Sequence, residues 1–590
     1  MDDFSVIVNN PDIRSISDFL ANTFPGRPLR ELTYLVDYQF FGLDPFGYHF
    51  QNIFWHGLNC WLVYLLALRL KLSLPVAWFS AILFLVHPIH VEVVANSSHR
   101  KDSLALAFLL LALLSYMKTT EQTSQSGRVT WLTATLVLWI TAFFAKGNTI
   151  VFPALVVAYE YALVPEENRL IVRWKQMVPF ICYAAAFSLV VWYFYIIPKP
   201  AFKTAIIGAF VKTDNLADFS ATAYVLMVLK SCAFMVSKLI LPVNLSMEYI
   251  YSVPESFLDP WVVAALVLIP TVIAAAYRWR TRAPEYSFLL LLSVVLWLPT
   301  SNFVWHFSYF AADRYMYAPS AGLCILAVLA SEKACTAGRR FVAVWMPLLC
   351  VCSFLSWQQT RIWLNDQNLY SHMLKVSPRS LEAMIGLSNA YYLVKNYETS
   401  AEYAKMAIER DFTDFRPYLI LGNINFVRNR LNDALELLLE AQKKNPLSPE
   451  VHNAIGSVYD DLGLTVQAID SLKTALTLRP TYCEAYTNLG VAYERAGDYA
   501  TAETALKKAL SLNGNHAPAW FSLGVVRYKN NDKNGSRTAF SEVLKRDVVH
   551  VDALTNLSVV CKELGDDACF VDAERRLRLL TKSNQDSLRH

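Results

Sequence analysis

The chain has 590 residues, 55% of them apolar and 17% charged, with a net charge of +4 and a mean hydropathy of +0.30. That length holds two or more domains, the apolar share exceeds the roughly 45–50% of soluble proteins, and so small a charge excludes nucleic acid as the partner. The ten cysteines are scattered without a C-x-x-C pair, Cys350 and Cys352 being the closest two, so neither a disulfide framework nor a zinc site is expected.

Taken in order, residues 1–47 are punctuated by NNP, PGRP and GLDPFGYH yet carry Phe4, Phe19, Phe24, Tyr34, Phe40 and Phe41. That reads as an ordered extramembrane loop with short helices, because a disordered tail is poorer in aromatics. Met1 is followed by Asp2 and Asp3, with no signal peptide in evidence. Apolar runs able to form spanning helices follow at about 50–69, 73–88, 103–117, 131–146, 148–164, 177–197, 223–242, 261–277, 286–300, 315–331 and 341–357.

Lys118 and Arg128; Arg169, Arg173 and Lys175; Arg278, Arg280 and Arg282; and Lys333, Arg339 and Arg340 crowd four short loops. The positive-inside rule puts those loops in the cytoplasm, and so puts residues 87–102 and everything after Trp357 outside. Strict alternation then misplaces the 278–282 arginines. The expected repair is that 223–242 does not fully cross, since Lys230 and Lys238 lie eight apart near one helix face and suit a re-entrant or interfacial helix.

After Gln358 the sequence turns amphipathic and periodic. Gly422, Gly456, Gly490 and Gly524 are 34 residues apart, and Ser388 and Ser558 extend the series. Ala434, Ala468 and Ala502 share the frame, as do Ala407, Ala441, Ala475 and Ala509, then Pro446 and Pro480. A 34-residue period with small residues at helix crossings marks tetratricopeptide repeats. Six of them over 378–580 make an α-solenoid whose groove holds a protein or peptide segment. A purely structural stack is the plainer alternative.

The chemistry gathers where charge borders apolar runs. Residues 83–104, LFLVHPIHVEVVANSSHRKDSL, place His87, His90, Glu92, His99, Arg100, Lys101 and Asp102 between two candidate spans, and ionisable groups beside spanning helices face cavities, substrates or water. Asp2 and Asp3 are adjacent carboxylates in the outer loop, where a shielded carboxylate can act as a general base; an ordinary solvated chain start is the alternative. His87, His90 and Glu92 have spacings compatible with a divalent cation, although Pro88 interrupts them. Arg100 and Lys101 suit a phosphate or diphosphate, or a lipid headgroup. Lys146 in FFAKGNTIVFP should face inward, and Arg314 in FAADRYMYAPSAG is a further phosphate candidate, beside Asp313. Together these residues describe an outward-facing polar pocket suited to a lipid-linked substrate carrying phosphate.

Six stretches carry a family resemblance: DDFSVIVNNPDI (2–13), GRPLRELTYLVDYQFFGLDPFGYHFQNIFWHGLN (26–59), the 83–104 stretch, FFAKGNTIVFP (143–153), WLPTSNFVWHFSYFAADRYMYAPSAG (297–322) and RIWLNDQNLYSHMLKVSP (361–378). With the repeats behind them, the chain resembles the transmembrane and tetratricopeptide-containing glycosyltransferases of the GT-C class, which include O-mannosyltransferases and bacterial relatives. The resemblance implies an all-α, polytopic membrane domain over 48–357, a linker helix at 358–377, the solenoid and a tail at 581–590. It implies a sugar moved from a polyprenyl-phosphate donor to a hydroxyl acceptor by inverting displacement, with Asp2 and Asp3 catalytic. Arg100, Lys101, Lys146 and Arg314 would hold the phosphate; His87, His90, Glu92 and Asp102 would line the pocket; and the repeats would bind the acceptor protein. Family distribution places such a protein in a bacterial inner membrane with periplasmic repeats, or in the endoplasmic reticulum membrane with lumenal ones. Family members carry a spanning helix before the acidic pair, so a truncated start is expected. Where they often have an acidic residue after the lysine of AKGN, this chain has Gly147. A membrane-anchored scaffold without activity and an oligosaccharide ligase or polymerase are the rival readings.

Overall fold

Apolar helices dominate the first half because each must satisfy its own backbone hydrogen bonds in lipid. The computed structural model describes residues 7, 10, 13–22, 27–166, 169, 220–303, 309–334 and 338–587. Asp2, Asp3 and the expected span at 177–197 lie outside them. The chain divides into two units, Met1–Ser380 and Leu381–His590.

The first unit contains α1 (Ile16–Asn22), α2 (Pro28–Phe41), α3 (Pro45–Arg69), α4 (Leu74–Val86), α5 (Val91–Ala95), α6 (Arg100–Glu121), α7 (Gln125–Ala145), α8 (Phe152–Leu163), α9 (Ala221–Ile240), α10 (Pro260–Arg282), α11 (Pro284–Trp297), α12 (Ser320–Ala334), α13 (Gly338–Ile362) and α14 (Asp366–Val376). Among the described residues, five helices are long and apolar enough to cross a membrane: Ser97–Glu121, Gln125–Ala145, Thr222–Ile240, Pro260–Arg282 and Arg340–Ile362. A sixth candidate is the pair Leu74–Val86 and Pro88–Ala95, bent by 51°, where Pro88 cannot continue the preceding helix. The runs expected at 148–164, 286–300 and 315–331 form shorter apolar helices. α6 is central, its apolar window 72% buried, whereas α10 buries only 17% of its window and turns Val263, Leu266, Val267 and Ile273 outward. Such residues fit lipid.

The segment expected at 223–242 is an unbroken helix over Ala221–Ile240, and Lys230 is buried inside the unit, its Nζ donating to Asp259 Oδ2 at 2.9 Å and Ser252 O at 3.1 Å. The bend lies at Pro88 instead. The stretch expected as a linker helix at 358–377 holds the end of α13, which extends to Ile362, and α14, which packs within the first unit, with His372 Nε2 on Leu245 O at 2.9 Å and Ile250 N donating to Ser377 Oγ at 3.1 Å.

The second unit comprises six antiparallel helix pairs: α15 (Leu381–Leu393) with α16 (Tyr397–Arg410), α17 (Arg416–Val427) with α18 (Leu431–Lys444), α19 (Pro449–Asp461) with α20 (Thr465–Leu478), α21 (Cys483–Arg495) with α22 (Tyr499–Leu512), α23 (Ala517–Lys529) with α24 (Lys533–Arg546), and α25 (Val551–Leu564) with α26 (Asp567–Ser587). The glycine column sits where the paired helices cross. A Cβ on Gly422, Gly456 or Gly490 would lie 2.6–2.7 Å from the Leu438, Leu472 or Leu506 Cγ, and one on Gly524 would lie 2.6 Å from Phe540. In the first pair serine replaces glycine, and Ser388 and Ser400 exchange hydrogen bonds with each other's carbonyls at 2.8 and 2.7 Å. The last pair corrects the cysteine reading, because Cys561 and Cys569, eight residues apart across the α25–α26 turn, form a disulfide.

Candidate functional site

The segment from Pro88 to His99 is short, broken helix, Pro88–His90, α5 and Ser97–His99, and its free backbone groups are met by polar side chains from α2 and α3. Tyr34 Oη donates to Ser97 O at 2.6 Å, and Asn52 Nδ2 donates to Val94 O and Asn96 O at 3.1 and 3.2 Å. Asn59 Nδ2 donates to Ser103 O at 2.9 Å. The segment is thereby held rigidly at the head of α6.

A chain of alternating charge runs along it. Arg314 Nη1 donates to Glu92 Oε1 at 2.6 Å and its backbone N to Glu92 Oε2 at 2.8 Å. Glu92 Oε1 is 3.5 Å from His99 Nε2, His99 Nδ1 is 3.5 Å from Asp102 Oδ2, and Asp102 Oδ1 pairs with Lys146 Nζ. Burial opposes the Arg314 charge, but Glu92 more than compensates and raises its pKa. Asp102, Lys146, Asn148, Thr300, Arg314 and Tyr315 line a narrow cleft here, with a cavity volume of about 40 Å³. His99 Nδ1 and Asp102 Oδ2 have only each other, at 3.5 Å, and the buried Asn148 Nδ2 has no hydrogen-bond partner; such an orphan marks a place where a ligand or water completes the network. Behind Arg314, Tyr249 Oη donates to Asp313 Oδ1 at 2.6 Å. Burial, with Glu92 nearby, pushes the Asp313 carboxyl well above the usual range.

Of the residues singled out in the sequence, Glu92, Asp102, Lys146 and Arg314 come together. Lys101 stands beside them, within electrostatic reach of Arg27, Lys146 and Arg30. Arg100 does not fit its expected role as a phosphate ligand. It is 0% exposed, and all three guanidinium nitrogens donate to protein: Nε to Asn52 Oδ1 at 2.9 Å, Nη1 to Asp37 Oδ2 at 2.6 Å and Thr33 Oγ1 at 3.1 Å, and Nη2 to Tyr48 O at 2.8 Å. Nor do His87, His90 and Glu92 converge on a cation. His87 uses Nε2 on Leu239 O and Nδ1 on Ile89 N, at 2.9 and 3.3 Å. His90 uses its two nitrogens on Phe84 O and Ser320 Oγ at 2.6 and 2.7 Å, and Glu92 is committed to Arg314. Among the described residues, one group could bring three ligand atoms together, Cys561, Asp566 and Cys569, and its thiols are consumed by the disulfide.

Sequence reasoning assigned no role to His99, Asn148 or Asp37. His99 lay in the singled-out stretch and Asn148 in the AKGN motif; Asp37 gave no local signal.

The fold and this cleft define a class: a polytopic helical membrane protein with a tetratricopeptide unit. Residues 421–482 and 483–516 match tetratricopeptide-repeat family profiles. The chain's homologues are protein O-mannosyl-transferases. It is 25% identical over 399 residues to Protein O-mannosyl-transferase F38B6.6 of Caenorhabditis elegans, covering 64% of this chain and 54% of that protein. It is 24% identical over 496 residues to Protein O-mannosyl-transferase TMTC3 of Homo sapiens, covering 75% and 53%. The chain thus spans about half the length of the curated relatives it matches. Among solved structures, Pseudomonas aeruginosa pilF is similar at 19% identity and a TM-score of 0.31, over 35% of this chain and 97% of that one.

Proposed function

We propose that the protein is a membrane glycosyltransferase that moves a sugar from a polyprenyl-phosphate donor to a hydroxyl of a protein acceptor. The observation that carries this reading is the cleft in which Lys146 and Arg314 flank the unpartnered Asn148 amide; the names of the relatives supply the class of reaction. Lys101, Lys146 and Arg314 bind the donor phosphate, and Asn148 meets a sugar hydroxyl. The acceptor oxygen attacks the anomeric carbon while its proton passes to Asp2 or Asp3. The bond from that carbon to the phosphate oxygen breaks, and the phosphate leaves with the electron pair, its charge met by cations already oriented by Glu92 and Asp102. Fixed charges of this kind require no reorganisation as the leaving group forms.

The repeats present the acceptor, and they face the exterior, periplasm or lumen. The Cys561–Cys569 disulfide favours that side, since such bonds persist in oxidising compartments. The test is transfer from a radiolabelled polyprenyl-phosphate monosaccharide in membranes, with the Asp2→Asn/Asp3→Asn variant alongside. Transfer by the unmutated chain and its loss in the variant are expected. Full transfer in the variant would overturn the base assignment, and no transfer by the unmutated, folded chain with several donors would overturn the reading itself.

A further inference from the structure

A second cleft lies beyond the wall made by Tyr249, Asp313 and Arg314. It is bounded by the end of α9, the 244–251 loop and α14, and its lining includes Phe234, Lys238, Tyr249, Tyr251, His372 and Lys375. Its cavity volume of about 370 Å³ falls at the lower end of the range of small-molecule sites.

The charge in this cleft is one-sided. Lys238 Nζ donates to Val243 O at 2.8 Å and stands 5.3 Å from the ring centroids of both Phe234 and Tyr249. These partners are a carbonyl and two ring faces, so its charge is held in place without being neutralised. The carboxylate it senses is Asp313, which lies behind Tyr249 and holds that residue's hydroxyl. Glu248, on the same loop, is buried and accepts from Ser380 Oγ at 2.8 Å. Lys375 is exposed on α14 and acts on His372 as a second positive charge. The Leu245 carbonyl can only accept, so its 2.9 Å contact fixes a proton on His372 Nε2. Burial keeps that imidazole from charging and leaves Nδ1 as an acceptor. Two ammonium groups and aromatic rings therefore line one space, with His372 beside them.

The depth of the cleft identifies the ligand. Lys238 is in the last turn of a helix long and apolar enough to cross a membrane, Thr222–Ile240. Lysines and tyrosines at such helix ends sit at headgroup level, and two lysines match the charge of a phosphate monoester and more than meet that of a diester. We propose that this cleft binds the phosphate of a membrane lipid, with Lys238 and Lys375 on the phosphate oxygens and the Phe234, Tyr249 and Tyr251 rings against the adjoining carbons. The proposal does not depend on the transferase reading.

Native mass spectrometry of the full chain in detergent tests it. The probes are phosphatidylglycerol, phosphatidylcholine and a polyprenyl monophosphate, each also with inorganic phosphate as competitor. The variants are Lys375→Gln, whose side chain is exposed, Lys238→Gln/Lys375→Gln, and Lys118→Gln as a distant control. Retention of the anionic lipids over phosphatidylcholine is expected to fall about fivefold for each cleft lysine removed and to be unchanged in Lys118→Gln. Preference for the polyprenyl monophosphate would assign the cleft to the carrier lipid, and preference for phosphatidylglycerol to the surrounding bilayer. Equal retention by the wild type and a folded Lys375→Gln variant, equal binding of phosphatidylcholine, or displacement of both lipids by inorganic phosphate alone would overturn the proposal.

Discussion

Replacing Arg100 by methionine separates a structural guanidinium from a substrate-binding one. Methionine keeps much of the volume but leaves the Asp37 carboxylate buried without its partner, and Asp37 Oδ1 already lacks a hydrogen bond. Breaking a buried pair from one side costs about 3–5 kcal/mol, and the contacts to Asn52 and Tyr48 are lost as well. Arg100→Met should therefore unfold in detergent at a markedly lower temperature, followed by tryptophan fluorescence. Removing both charges, Arg100→Met with Asp37→Leu, should restore most of the loss, because an apolar pair of similar volume is often neutral. The pH dependence has a definite sign. Burial raises the Asp37 pKa, against the pull of Arg100, so this group's contribution to stability is complete below its unfolded pKa and is lost as pH rises through its folded pKa. Without Arg100 the folded pKa climbs further, so Arg100→Met should be least harmful at the acid end. A loss below about 1 kcal/mol, or a double variant no more stable than the single, would refute the clamp. Undiminished stability with lost transfer would restore Arg100 to the donor site.

Lys146→Ala leaves Asp102 only its 3.5 Å approach to His99 and should lower transfer by about 10²-fold; an unchanged rate would remove Lys146 from the donor site. Gly456→Ala puts a methyl 2.6 Å from Leu472 Cγ and should cost about 1–3 kcal/mol, visible as local hydrogen exchange in the third helix pair while the first pair stays protected. Cys561→Ser/Cys569→Ser opens a loop of eight residues and should weaken the last helix pair by about 2–3 kcal/mol, read as earlier proteolysis there. If the native cysteines label with a thiol reagent before reduction, the disulfide is wrong.

The repeats were legible because each conserved spacing answers a local need. A glycine every 34 residues is the point at which one helix rests on its partner's leucine or, at Gly524, phenylalanine. The polar head of α6 was legible too, since charge beside apolar runs is rare enough to notice. Individual roles were not. Arg100 looked like an anion site because its neighbours in sequence are polar, whereas its real partner, Asp37, is 63 positions away on another helix. Lys230 gave no hint of its partner, Asp259, which lies 29 residues further on. His87 and His90 had ligand spacing, but their nitrogens serve carbonyls and a serine brought in from residues 84, 239 and 320. Cys561 and Cys569 pair through a helical turn at a spacing that no short motif records.

The buried guanidinium also bears on the order in which the protein is made. Arg100 opens α6, and its acceptors, Thr33, Asp37, Tyr48 and Asn52, all precede it in the chain. By the time ribosomal synthesis reaches the end of α6, everything needed to shelter that charge from lipid already exists. The N-terminal helices can thus lock together while the later spans are still being translated, and those spans then enter the membrane against a finished surface.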